Sequence, residues 1–109
     1  MSKYARGAKF ERRVKKYFEG LGYLVIRAAG SKPIDLVCIR DGEVLLVECK
    51  TSLSEVNKST RERILGISAP FKARAIVAAR DNRRIVLIDA KSSKRFRPTR
   101  KGCRRIDEA

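Results

Sequence analysis

A chain of 109 residues with 27 Lys and Arg, 12 Asp and Glu and no His carries a formal charge of +15. That length fits one domain with a single core, and an excess of base this large points to a polyanionic partner, most often nucleic acid. The same composition argues against a membrane span, since no run of 18 apolar residues occurs, and against a zinc site, since three unpaired cysteines stand without histidine. A basic N-terminus with no apolar segment behind it reads as a cytoplasmic protein of a prokaryote, or of a virus in its host, rather than a secreted one.

Residues 1–7 form a short basic leader. Over 8–21 the apolar residues Phe10, Val14, Tyr17, Phe18 and Leu21 fall at helical spacing, and Gly20 and Gly22 mark the end. Glu11 sits beside that stripe, where its residue type alone predicts a solvated partner for Arg12 or Lys15. A first strand is expected over 23–28 with Arg27 at its far end, then the small-residue loop Ala29-Gly30-Ser31-Lys32-Pro33. Two apolar runs come next, 34–40 and 43–50, joined by Asp41-Gly42, a dipeptide suited to a type I′ turn. A two-residue loop without a bulge pairs positions that sum to 83. Arg40 then faces Glu43, Cys38 faces Leu45, Cys49 faces Ile34, and Asp35 faces Glu48. The two strand cysteines are therefore small apolar fillers and not disulfide partners.

Beyond the hairpin, Ser52 and Glu55 have the spacing of a capping box, predicting a helix over 54–68 that Pro70 ends. Val56, Ile64, Leu65 and Ile67 are its apolar residues. Its first half, 57–63, is almost wholly polar, which suits either solvent or a face used on a partner. Strands are expected over 73–79 and 85–88, separated by Asp81-Asn82-Arg83-Arg84. After Asp89 the periodicity stops. Residues 1–90 thus read as the folded domain with its basic leader, and 91–109 as a basic, flexible tail. Residues 1–18 hold seven bases and one acid, and residues 91–109 hold eight bases and two acids, so both ends suit phosphate contacts without base specificity. The order α-β-β-β-α-β-β is that of an α/β fold with a mixed sheet, because three strands come in close succession and the fourth returns through a helix.

The hairpin carries the chemistry. Two carboxylates set opposite each other in otherwise apolar strands repel, and desolvation raises that cost. An oxygen-preferring divalent ion such as Mg²⁺, with Mn²⁺ as a plausible substitute, relieves it. Lys50, two residues past Glu48, shares its face. An acid succeeded on the next strand by Glu-x-Lys is, in outline, a metal-dependent arrangement for phosphodiester cleavage, and the carbonyl of Cys49, between the two, is a further candidate ligand.

Asp35 with Glu48-Cys49-Lys50 resembles the PD-(D/E)xK nuclease motif. With Arg6-Gly7, Glu11-Arg12 and Arg27-Ala28-Ala29-Gly30-Ser31, residues 5–90 resemble the archaeal-type Holliday junction resolvases of that superfamily. Two departures stand out: Ile34 rather than proline precedes Asp35, and the helix after the motif lacks a glutamine found in many relatives. The resemblance implies a restriction-endonuclease-like central sheet flanked by helices. It implies catalytic roles for Glu11, Ser31, Asp35, Glu48 and Lys50, and metal ligation by Glu11, Asp35, Glu48 and Cys49. Arg6, Arg12, Arg27 and Lys32 would contact DNA, Arg27 through its planar fork of donors. It further implies a homodimer acting on four-way junction DNA. From the residues themselves, the contact surface is expected around Ile64, Leu65, Ile67 and Phe71. Another nuclease of the superfamily, acting on flaps, nicks or duplex, and a non-catalytic nucleic-acid-binding protein are the competing readings.

Overall fold

The computed structural model describes residues 3–28, 33–99 and 102–105. Helix α1 (Lys3–Gly20) buries Phe10, Val14 and Phe18 along one stripe. Its start takes in part of the expected basic leader, whose Lys, Ala and Arg residues are good helix formers. Its end is a Schellman motif. Gly22 takes φ +94°, its N–H bonds the Glu19 carbonyl at 3.0 Å, and the Tyr23 N–H bonds that of Phe18 at 3.1 Å. The Phe18 and Tyr23 rings meet edge to face at 5.3 Å, so the chain turns back under its own helix.

The chain then runs through strand β1 (Leu24–Arg27), β2 (Leu36–Arg40), β3 (Glu43–Lys50), helix α2 (Lys58–Ser68), β4 (Arg74–Asp81), β5 (Arg84–Asp89), β6 (Phe96–Thr99) and β7 (Gly102–Arg105). The first five strands form one sheet in chain order, antiparallel throughout except for the parallel pair β3–β4. That parallel pair is what a crossover through α2 requires. The β2–β3 hairpin keeps the expected register from Arg40↔Glu43 to Leu36↔Val47. Asp41 and Gly42 both take positive φ, 49° and 78°, as a type I′ turn demands.

Helices cover both faces. Phe10, Val14 and Phe18 of α1 pack on Leu36, Leu45, Val47 and Ile76. Ile64 of α2 packs on Ile34, Leu46 and Val77. Alternation along β3 thus sends Leu45 and Val47 one way and Leu46 the other. Among the described residues no helix is long and apolar enough to cross a membrane.

Three expectations differ from what is observed. The capping box at Ser52 makes only a 3₁₀ turn, Leu53–Glu55, with the Ser52 hydroxyl accepting from the Ser54 N–H. The α-helix begins later, where Asn57 accepts from the Thr60 N–H at 2.9 Å; Asn is as good an N-cap as Ser. Secondly, the fold does not stop at residue 90. The buried Asp89 carboxylate accepts from the Lys91 and Ser92 N–H groups at 2.9 and 3.2 Å, which turns the chain back so that Phe96, 2 % exposed, enters the core beneath α1. Strands β6 and β7 pair antiparallel, and the buried Arg40 guanidinium donates to the carbonyls of Leu21 and Thr99 while lying 4.1 Å over the Tyr23 ring. Thirdly, of the four residues expected at a dimer surface, Ile64 is fully buried and Leu65 and Ile67 pack against the α2-side core; Phe71 is 74 % exposed.

Candidate active site

The expected acids gather at one end of the sheet, where β1 and β3 finish and β2 begins. The ladder closes one step short of pairing Asp35 with Glu48. Asp35 leaves the strand, its N–H donating to the Val47 carbonyl at 3.1 Å and its own carbonyl accepting from Ala28 at 2.9 Å. Direct cross-strand opposition, expected from the register, is therefore replaced by a tighter arrangement. The Asp35 carboxylate folds onto the end of β3 and accepts the Cys49 N–H at 2.7 Å. A carboxylate held by a backbone donor is fixed in position.

Glu48, 7 % exposed, rises from the middle of the sheet between β2 and β4. Two cations attend it. Lys50 Nζ is 3.5 Å from one oxygen, and the guanidinium of Arg63, from α2, pairs with the other. Arg63 also donates to the Pro33 carbonyl at 2.9 Å, so one side chain ties the segment entering Asp35 to Glu48. On the α1 side, Glu11 pairs with Arg27 at 3.1 Å. Of the two partners expected for Glu11, Arg12 and Lys15, the latter bonds Glu19 instead at 2.7 Å.

Cys49 reports how close these acids are. Its thiol is pushed well above the usual range, by burial first and then by the negative charges of Asp35, Glu11 and Glu48. Carboxylates from α1, from the lead into β2 and from β3 therefore share one electrostatic neighbourhood. Their donor set of hard oxygens suits Mg²⁺ or Mn²⁺. Among the described residues, however, no three acidic or thiol side chains close around a common point; Arg27, Lys50 and Arg63 stand on the carboxylates.

The remaining expected residues divide. Ser31 and Lys32 lie outside the described residues. Arg6 and Arg12 are exposed on α1, and Arg6 lines a basic cleft with Lys9, Arg13 and Arg80 around Phe10. Arg63 was not expected at the site at all. Its only sequence signal was position: it precedes Ile64, the residue that seats α2 on the face carrying Glu48.

Residues 2–109 match the family model described as archaeal Holliday junction resolvase (hjc). The chain belongs to that family. It is 40 % identical over 90 residues to the crossover junction endodeoxyribonuclease Hjc of Methanocaldococcus jannaschii, covering 80 % of this chain and 68 % of that protein. The fold is like that of Archaeoglobus fulgidus Hjc, a Holliday junction resolvase from an archaeal hyperthermophile, with a TM-score of 0.62 at 24 % identity over 85 % of this chain and 77 % of the other. The mixed sheet with flanking helices is thus the resolvase fold, and the acids gather at the end where β3 leads into the crossover.

Proposed function

We propose that this resolvase cleaves four-way DNA junctions at the cluster of Glu11, Asp35, Glu48 and Lys50, by Mg²⁺-assisted phosphodiester hydrolysis. The observation that carries the reading is the Asp35 carboxylate held on the end of β3 by the Cys49 N–H at 2.7 Å, beside the buried Glu48 with Lys50 3.5 Å from it. Glu11, Asp35, Glu48 and the Cys49 carbonyl are the groups that would hold the ion. When bound, it would supply Lewis-acid polarisation of the scissile phosphate and a water of lowered pKa.

The rest is the work of the chain itself. Asp35 is kept in place by the Cys49 N–H, so its carboxylate does not have to be ordered during the reaction. Lys50 donates to the phosphoryl oxygen as charge builds on it, and the Glu48 carboxylate orients that ammonium. Arg27, poised on Glu11, offers its remaining donors to a phosphate flanking the cut. Arg6 and Arg12 extend the positive surface along α1, and Ser31 and Lys32, which precede Asp35 in the sequence, are assigned to catalysis and to DNA respectively by the family resemblance alone. A junction needs two opposed cuts and this chain has one Glu-x-Lys site, so the working species is a homodimer with matched sites. Phe71 and the outward Leu24 and Ile26 of β1, at 74 %, 62 % and 52 % exposure, supply apolar surface for that contact.

A labelled four-way junction, incubated with Mg²⁺ and with chelator and read at nucleotide resolution, tests the reading. Paired, symmetric, metal-dependent cuts are expected, with linear duplex of the same sequence left intact. Cutting of flaps or nicked duplex in preference to the junction would assign the chain to another substrate within the superfamily. Binding without cleavage in any divalent metal would remove the nuclease reading.

A further inference from the structure

We infer that Arg63 is a displaceable counter-ion on Glu48, which metal binding must release and which thereby sets the metal affinity of the site. The inference rests on the metal-dependent reading above and deepens it. Glu48 is buried, and an isolated carboxylate at 7 % exposure is costly, so a charge partner is needed whenever no cation is bound. Lys50 supplies one at 3.5 Å, on one oxygen. Arg63 takes the other oxygen, reaching in from α2 on a side chain that is 47 % exposed.

That exposure matters. A half-solvated guanidinium leaves for water at small cost, whereas a buried one does not. Arg63 also has somewhere to remain, because its Nη1 is bonded to the Pro33 carbonyl at 2.9 Å independently of the carboxylate. A divalent ion on Glu48 would be a third cation on that carboxylate, and of the two already there Arg63, 47 % exposed against 28 % for Lys50, is the one released at lower cost. Binding of the ion therefore breaks the Arg63–Glu48 pair and turns the guanidinium outward beside the site, while its hold on the segment entering Asp35 can persist. Arg63 is in this sense a positioning residue: it acts on the reaction through Glu48 and Pro33.

Two measurements on the full chain, neither of them an activity assay, test this. Mn²⁺ binding by titration calorimetry in the absence of DNA should be about three- to tenfold tighter in Arg63→Gln than in the wild type, and close to wild type in Arg63→Lys, with the metal-free Arg63→Gln protein melting somewhat lower than the wild type because Glu48 has lost a partner. In the wild-type protein, Mg²⁺ should speed modification of Arg63 by an arginine-selective dicarbonyl, read by peptide mass spectrometry, relative to the exposed Arg12. Equal or weaker Mn²⁺ binding by Arg63→Gln, or a Mg²⁺-independent modification rate, overturns the counter-ion role while leaving the nuclease reading intact. Absence of Mn²⁺ binding to the wild type by itself and on junction DNA would instead remove the metal-dependent reading, and this inference with it.

Discussion

The two carboxylates nearest the centre of the site are held by opposite means, and single substitutions should separate them. Asp35 is fixed by a backbone donor, the Cys49 N–H at 2.7 Å, while Glu48 is surrounded by the side-chain cations Lys50 and Arg63. Asp35→Asn keeps an oxygen that can accept from Cys49, so the fold and junction affinity should survive while metal-dependent cleavage is lost. Lys50→Ala removes a donor aimed at developing charge, and the single-turnover rate should fall by about 10²- to 10³-fold with junction binding little changed. A rate within a few-fold of wild type for either variant would place the chemistry elsewhere. The neighbourhood of Asp35 and Glu48 was legible in the sequence because Asp41-Gly42 dictated the turn and the turn dictated the register. The last step was not: where a ladder ends depends on the strand-end contact with Ala28 as well as on the hairpin. Arg63 was equally hidden, since a helix that crosses over the sheet chooses its neighbours by how it packs, and the residues of 57–63 look alike from composition.

Secondary-structure elements show the same division. The strands and their mixed order could be read from apolar runs and short connections. The start of α2 could not, because two capping signals, Ser52 and Asn57, compete within six residues of sequence. Asn57 holds the α-helix and Ser52 only the 3₁₀ turn. Replacing Asn57 with Ala should therefore cost about 1 kcal/mol and lower the melting temperature by roughly 4–8 °C, whereas Ser52→Ala should cost clearly less. Equal losses in thermal melts would mean that the turn and the helix form one capped unit. Strand β6 was missed for a different reason. Lys, Arg, Ser and Pro dominate residues 91–99, and composition cannot register that one aromatic, Phe96, has a place waiting beneath α1.

At the scale of the whole molecule, charge and assembly remain to be joined. The end of the sheet that gathers the acids and the end bearing Phe71 lie at opposite termini of the parallel pair, since β3 finishes at Lys50 whereas Phe71 precedes Arg74 at the start of β4. A second copy docked through Phe71 would thus leave both clusters of acids open to DNA. Phe71→Asp introduces a charge at a site 74 % exposed in the single chain, so it should leave the melting curve of the fold nearly unchanged while light scattering at micromolar concentration shifts from two chains to one. Paired cuts should then give way to single nicks. A variant that remains dimeric directs attention to the outward face of β1.

Arg40 and Phe96 have a consequence for how the protein is made. Every acid of the cluster, and Lys50, has been synthesised by residue 50, yet α1 finds its full packing only when Phe96 arrives, and Arg40 gains its bond to the Thr99 carbonyl later still. Domains are completed on the ribosome from the N-terminus onward, and here the closing piece comes long after the acids. A nascent chain therefore carries the acids and Lys50 through a long stretch of synthesis before the packing beneath α1 is complete.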